Sequence, residues 1–472
     1  MEYRYLLSRA IGGNLKIYFF NFKPNPEQED SENAYIIRFV HNQPLPLQFN
    51  MKADIDYQSS FDFLREFDNN FRRAVVSNRR SQVHLSRSWS YFNLTLRASR
   101  FETYFKITDT SIIRNNLPEI KFNSSKIKLF SPLYFSFYSS FDRWEHGWDS
   151  EYEKETQKKS QSLAFSPALT LPVNFIPWLT LNSFFSANFS YYFQSYAPST
   201  KTRVNEPLLS HNYEINTEIT GPVFFKIYSG KKSGAKMKHI IEPHFSYRYE
   251  SPVASSDRII TSGLFYRNHS ARYGLTNHLL IQKNKMPREI LTLGLSQSFY
   301  FDPENSPLQN YSVEGEVPEF SDIQSYLRFY PSRKYSIDIS ASFNPYYNTF
   351  SRLRLGANFG LPEDNFFLRV NWYKSINPYR EDSLWDRHQI GFFGGFKIPR
   401  LSLEGRAEFD FNIKEKEMLY AGVVFTYHYQ CVDLIADVKI FYFREKPEMQ
   451  FRISFGLGNI GKTTDFFGGT RN

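Results

Sequence analysis

The 472-residue sequence has no run approaching the ~18 consecutive apolar residues of a membrane-crossing helix, which excludes helical spans. It has a single cysteine, Cys431, so no intrachain disulfide can form and the redox compartment is not legible from it. The opening, Met1-Glu2-Tyr3-Arg4-Tyr5, enters a strand pattern at once, with no basic n-region leading an apolar h-region. A secretory signal peptide is therefore not expected in this chain. Basic clusters are also missing. The net charge of +9 comes from 57 Lys and Arg against 48 Asp and Glu, interspersed strand by strand, which argues against a nucleic-acid footprint. No composition shift marks a second domain, and no repeat is visible beyond a strand–turn period.

What is abundant is aromatic. The 48 Phe and 32 Tyr exceed ordinary core use, yet the mean hydropathy is negative. An apolar outer band with aromatic girdles and a wet interior reconciles the two. Residues 401–413 show the pattern most clearly. Leu401, Leu403, Ala407, Phe409, Phe411 and Ile413 alternate with Ser402, Glu404, Arg406, Glu408, Asp410 and Asn412, and Gly405 keeps the phase. Alternate side chains of a strand point to opposite faces, so one face is oily and the other charged. A strand that crosses a bilayer needs roughly 9–11 residues, against roughly 5–6 in a soluble sheet. The stretch is long enough to span, and its polar face is too charged for a dry core.

The same alternation recurs along the chain. Gly12-Gly13-Asn14 reads as a turn, residues 24–33 as a loop and residues 47–57 as a long strand. Residues 59–80 read as a long charged loop with a helical turn, and residues 144–159 as a charged loop. The later strands are cleaner, with Tyr335, Ile337, Ile339, Ala341 and Phe343 set against Ser336, Asp338, Ser340 and Ser342. The last four strands fall at 401–413, 419–429, 432–442 and 449–457. The fold class is all-β, a large antiparallel transmembrane β-barrel of about 24 strands. Residues 1–460 form the barrel and residues 461–472 a C-terminal tail. The polar faces place Glu404, Arg406, Glu408, Asp410, Asp433, Asp437 and Lys439 on a watery lumen.

Motifs for other chemistry do not survive their context. Residues 456–463, from Gly456 to Thr463, fit a P-loop pattern, but a phosphate cradle needs a helix starting at Lys462-Thr463 and a parallel sheet behind it. His239, Glu242 and His244 resemble metal ligands. Positions 239 and 244 lie on opposite faces of a strand, whereas Glu242 and His244 share one. Pairs such as Glu408 and Asp410 lack a nucleophile or an oxyanion site, and Cys431, beside a turn, is read as inert. Aromatics such as Tyr427 and Tyr429, and Tyr442 near Phe443, suit interfacial girdles rather than base-stacking platforms.

Several stretches, in order, resemble the barrel of the LptD family of LPS-assembly proteins. They are Glu2-Tyr3-Arg4-Tyr5-Leu6, Asp56-Tyr57 followed by residues 63–68, Leu117-Pro118-Glu119, and His239-Ile240-Ile241-Glu242-Pro243 with Tyr247 and Tyr249. Tyr273-Gly274-Leu275-Thr276-Asn277, Gln297-Ser298-Phe299-Tyr300-Phe301, and Phe451 to Phe455 before Gly456-Leu457-Gly458 complete the set. The resemblance implies a Gram-negative outer-membrane barrel that inserts lipopolysaccharide into the outer leaflet. It also implies an LptE-like lipoprotein plug and a periplasmic Lpt bridge protein that delivers the lipid. The family's N-terminal jellyroll, its earliest strands and its inter-domain disulfides have no counterpart here, so the chain is expected to be a fragment or a shortened form.

On this reading the sugars pass through the polar lumen, and the acyl chains leave through a weakly paired seam between the first and last strands. The seam strand is Phe451 to Leu457, with Phe451, Ile453, Phe455 and Leu457 on one face. Lys and Arg near the loops would meet lipid phosphates. No enzyme activity or cofactor is expected. The alternatives are a diffusion porin or nutrient transporter, and an extracellular all-β scaffold.

Overall fold

The computed structural model describes residues 2–22, 32–59, 78–105, 110–149, 158–198, 200, 202–229, 236–260, 267–283, 286–379, 386–442, 447–457 and 461–471. Apart from short 3-10 turns, the regular structure of these residues is strand. No helix among them is long and apolar enough to cross a membrane.

The first strands are β1 (Glu2–Ser8), β2 (Ile11–Phe22), β3 (Glu32–Leu45), β4 (Phe49–Gln58), β5 (Asn78–Trp89), β6 (Phe92–Phe105) and β7 (Thr110–Ser124). Next come β8 (Ile127–Phe130), β9 (Leu133–Asp149), β10 (Lys158–Ile176), β11 (Leu179–Tyr192), β12 (Ser195–Tyr196), β13 (Arg203–Val204) and β14 (Leu208–Thr220). Then follow β15 (Phe224–Ser229), β16 (Lys236–Glu250), β17 (His269–Lys283), β18 (Met286–Tyr300), β19 (Ile323–Phe329), β20 (Tyr335–Asn344) and β21 (Thr349–Phe359). The last are β22 (Phe366–Ser375), β23 (Arg387–Ile398), β24 (Leu403–Asn412), β25 (Glu417–Tyr429), β26 (Val432–Phe441), β27 (Glu448–Leu457) and β28 (Gly461–Arg471). Four of these 28 strands among the described residues are short, β8, β12, β13 and β15, and the alternation indicates about 24.

The chain divides into two compact units. The first comprises Met1–Val173, Leu181–Thr217 and Arg248–Asn268. In it β1 to β7 pair antiparallel in chain order, followed by β9 and β10, with β8 as a short extension against β9. The second comprises Asn174–Thr180, Glu218–Tyr247 and His269–Asn472. In it β15 pairs β16, and every strand from β17 to β27 pairs antiparallel with its successor. Meanders of this kind satisfy the backbone groups of each strand within the sheet, as a chain in lipid requires.

Burial runs opposite to that of a soluble domain. The side chains most completely enclosed are mainly Ser160, Ser195, Ser210, Ser306, Ser454 and Asn344, joined by Phe441 and Ile260. Meanwhile Phe392, Phe409, Phe425, Phe451 and Phe455 stay 38–45% exposed on a single face of the second unit. A water-soluble protein does not leave so broad an apolar surface uncovered. A sheet whose outer face meets hydrocarbon does.

Four readings need correction. Gly12-Gly13-Asn14 lies inside β2, paired with β1, where Gly13 makes room for the Tyr5 ring, and the turn is at Arg9-Ala10. Residues 461–471 are strand β28, paired with β27, rather than a tail. Phe451, Ile453, Phe455 and Leu457 therefore lie on a strand paired on both sides, by β26 and by β28. Gly468-Gly469 hid β28, because glycine interrupts the alternation by which a strand is read. The 144–159 loop is also shorter, since β9 runs to Asp149 and β10 begins at Lys158. Arg143 and Glu145 share the parity of Phe137 and Phe141, and Glu145 stands opposite Lys159 of β10, so both faces of the strand's end carry charge and charge there is no loop signal. Of the 59–80 loop, residues 78–80 are strand and residues 60–77 lie outside the described residues, as do residues 63–68 of the family resemblance.

Candidate functional site

Cross-strand register builds one continuous polar face through the second unit. Glu404, Arg406, Glu408 and Asp410 occupy alternate positions of β24, opposite Lys397, Gly395, Phe393 and Gly391 of β23. On the other side β25 presents Thr426, Val424, Gly422 and Tyr420. His428 of β25 then meets Asp433, Val424 meets Asp437, and Gly422 meets Lys439 on β26. All seven residues picked from the sequence thus share a face, because antiparallel partners point the same way.

Two charge clusters organise that face. Glu404 Oε1 lies 3.0 Å from Lys397 Nζ and 3.7 Å from His428 Nε2, and Arg406 Nη2 lies 3.6 Å from Glu404 Oε2. His428 Nδ1 is 2.6 Å from Asp433 Oδ1, which links β25 to β26. Farther along, Asp437 Oδ2 accepts from Lys439 Nζ at 2.9 Å and from Arg452 Nη2 at 2.5 Å. Asp437 is only 3% exposed, so these two cations replace the water that its carboxylate lost. Asp410 Oδ1 lies over Gly391, in the space that a β-carbon there would take. The sequence reading missed Lys397, His428 and Arg452. Alternation would have put each on the polar face, but only register shows which acid each one meets.

The same face continues toward the earlier strands. Asp338 of β20 stands opposite Arg328 of β19 and Gly356 of β21, and Arg354 of β21 opposite Tyr373 of β22. His278 Nδ1 of β17 is 2.7 Å from Glu289 Oε1 of β18, and its Nε2 is 3.6 Å from Glu242 Oε2 of β16. His239 instead approaches Asn277 Oδ1 at 3.2 Å. Glu242 and His239 thus meet neighbouring residues of β17, which face opposite ways, so they do not gather round one ion. Among the described residues no group of three or more His, Cys, Asp or Glu could hold a metal. Lys462-Thr463 sit in a strand, not at the start of a helix.

The first unit carries equivalent features. Asp56 accepts from Arg38 Nε at 3.3 Å and from Arg79 Nη1 at 2.9 Å. Glu119 pairs with Arg97 and, at 2.6 Å, with Lys121 Nζ. Near the Ser90-Tyr91 turn, Trp89, Phe92, Phe122, Phe137 and Phe165 form a chain of ring contacts, with the Arg87 guanidinium 5.1 Å from the Trp89 ring. Rings and a cation collected at strand ends match an interfacial girdle.

The family model described as LptD, LPS transport system D, matches residues 32–261 and 267–402, more than half of the chain. The chain belongs to the LptD family. It is accordingly an LPS-transport protein of the outer membrane, with the all-β fold class of a large antiparallel barrel. No curated protein matches it. The siderophore receptor PirA from Pseudomonas aeruginosa is 12% identical, with 97% of this chain and 80% of that one covered and a TM-score of 0.48. A mutant of the ferric enterobactin receptor PfeA from the same organism, in complex with enterobactin, is 10% identical over 96% and 77%, with a TM-score of 0.46. The siderophore receptor PiuA from Acinetobacter baumannii is 8% identical over 98% and 81%, with a TM-score of 0.36.

Proposed function

We propose that this chain inserts lipopolysaccharide into the outer leaflet by dividing the molecule between two solvents. Each CH₂ of an acyl chain costs about 0.8 kcal/mol in water, so the acyl portion stays in hydrocarbon throughout. The charged sugars cannot enter that phase, since burying an uncompensated charge costs far more. A barrel that opens sideways satisfies both demands, with sugars on its inner face and acyl chains leaving between strands.

The observation that carries the reading is the polar face running unbroken from β17 to β27 in a chain of the LptD family. Glu404, Arg406, Glu408, Asp410, Asp433, Asp437 and Lys439 line the sugar path. The seam belongs to the C-terminal strands, where Phe451, Ile453, Phe455 and Leu457 of β27 stand behind β28. The sequence of β28 includes Gly461, Gly468 and Gly469, and a glycine-bearing strand is weakly held. Connections between strands also assign a direction. The 301–322 connection and its neighbours at the same strand ends face the exterior, because outer-membrane barrels keep short turns on the periplasmic side. An LptE-like lipoprotein plug and a periplasmic Lpt bridge are the partners this reading requires. The proteins do no covalent chemistry in it.

Depletion in a Gram-negative host tests the reading. Lipopolysaccharide at the cell surface should fall while passive uptake of small solutes through other porins stays unchanged. Altered solute uptake with normal surface lipopolysaccharide would instead assign a diffusion porin.

A further inference from the structure

A broad concavity of about 480 Å³ opens on the polar face over β19 to β22. That volume lies within the roughly 300–1,000 Å³ of small-molecule sites. Gly356 lines the concavity, and an added β-carbon there would have only Asn371 Oδ1 near it, at 3.8 Å. Elsewhere on this face side chains press on the glycines, as the Tyr326 ring does on Gly294, so the opening over Gly356 is specific to its position.

The walls are cationic and aromatic. The Arg328 guanidinium lies 5.8 Å from the Tyr326 ring, and the Arg354 guanidinium 5.7 Å from the Tyr373 ring. Neither arginine has a carboxylate within salt-bridge distance among the described residues. The acid nearest in register, Asp338, is engaged by the Tyr330 hydroxyl, which donates to its two oxygens at 2.6 and 2.8 Å. Arg352 and Arg369 lie on the same face one or two register positions away. Two rings, two guanidiniums and carboxylate and amide acceptors line the concavity together and form a recognisable set. Aromatic walls suit the CH faces of a sugar, Asp338 and Asn371 its hydroxyls, and planar guanidinium forks a phosphate or carboxylate group.

We propose that this concavity is a binding subsite for an anionic sugar, held by Arg328 and Arg354 above Gly356. It rests on the transport reading, which supplies such a sugar as the head group of a glycolipid. A free sugar phosphate offers the same chemistry, and the experiment separates the two sources.

The full chain in detergent micelles is titrated by calorimetry with purified lipopolysaccharide, glucose 6-phosphate, glucose and inorganic phosphate. Glucose 6-phosphate should bind about tenfold more tightly than glucose or phosphate alone, because only it engages both the rings and the guanidiniums. The double variant Arg328→Gln/Arg354→Gln and the space-filling Gly356→Leu should each weaken lipopolysaccharide and glucose 6-phosphate by about tenfold. Folding is checked by the heat-dependent shift on unboiled gels. Should Gly356→Leu fail that check, the double variant decides, since its side chains are exposed and carry no strand pairing. Lipopolysaccharide binding that neither variant changes would overturn the subsite and leave the transport reading standing. Glucose 6-phosphate binding lost in the variants, with no lipopolysaccharide bound by the parent, would keep the subsite and remove its glycolipid source. No discrimination between glucose 6-phosphate and glucose would overturn the subsite outright.

Discussion

Asp437 on β26 and Arg452 on β27 occupy one register pair, and Arg452 Nη2 lies 2.5 Å from Asp437 Oδ2. The carboxylate is almost fully enclosed, the guanidinium is a quarter exposed, and Lys439 Nζ sits 2.9 Å from the same oxygen. Removing the acid strands two cations on a crowded face. Asp437→Ala should therefore cost about 3 kcal/mol, the low end for a broken buried pair because the cations keep some water. Urea unfolding of the micelle-bound chain measures this, and Asp437→Asn should recover part of the loss by keeping one acceptor.

The two faces of β24 should answer oppositely to the same charge. Phe409 is 38% exposed on the apolar face, and its neighbour Glu408 lies on the polar one. An arginine near the bilayer midplane costs about 2–4 kcal/mol on a lipid-facing position, and far less on a wet one. In lipid vesicles Phe409→Arg should thus lower unfolding stability by that amount, while Glu408→Arg changes it by less than about 1 kcal/mol. Equal losses at both positions would count against the assignment of faces.

Asn344 is fully enclosed and ties a loop cluster together. Its Nδ2 donates to Asp322 Oδ1 and to the Tyr379 hydroxyl, each at 2.9 Å, and its Oδ1 accepts from the backbone N–H of Tyr346 and Tyr347 at 3.1 Å. Ser351 adds its own hydrogen bond to Asp322, and the Tyr311 and Tyr379 rings stack at 4.3 Å. Asn344→Leu would leave these groups unsatisfied, at about 2–3 kcal/mol. Protease added outside vesicles should then cut the 301–322 connection faster than in the parent, with strand content unchanged by circular dichroism.

Lys334 and Asp364 form an ion pair in turns outside the strands. Lys334 Nζ is 2.6 Å from Asp364 Oδ1. Asp364 raises the lysine above its ordinary value of 10.5, and Lys334, aided by the Leu361 N–H, lowers the carboxyl below its ordinary 3.8. The pair's contribution is complete above the ordinary carboxyl value and below the ordinary lysine value. It is lost as pH falls through the lowered value of Asp364 or rises through the raised value of Lys334. An NMR titration of the Asp364 carboxyl should show its midpoint rise toward 3.8 in Lys334→Met. The difference should shrink in 1 M salt, because both groups are exposed.

Strand existence was legible wherever apolar and polar residues alternate without interruption. Residues 401–413 emerge as strand 403–412, and residues 432–442 as strand 432–441. The ends of β9 and β10 were obscured because both faces near a strand's end carry the same charges as a loop. Glycines concealed β28. Site residues were legible only as a face: parity put Asp437 and Lys439 together with Glu404, whereas their partners Arg452 and Lys397 depend on register between strands. The concavity at Gly356 is less visible still. It needs Arg328, Gly356 and Tyr373 from three separate strands, and no single-strand pattern joins them.

The alternation of solvent along β24 is the claim on which the rest depends, and site-directed spin labelling measures it. Single cysteines are placed at each position from 403 to 412 in a Cys431→Ser background, labelled, and reconstituted in bilayers. Accessibility to oxygen, which concentrates in lipid, should peak at positions 403, 405, 407, 409 and 411. Accessibility to a water-soluble nickel chelate should peak at 404, 406, 408, 410 and 412. The opposite phase, or uniform access to the chelate at all ten positions, would contradict an outer-membrane barrel with a wet polar face.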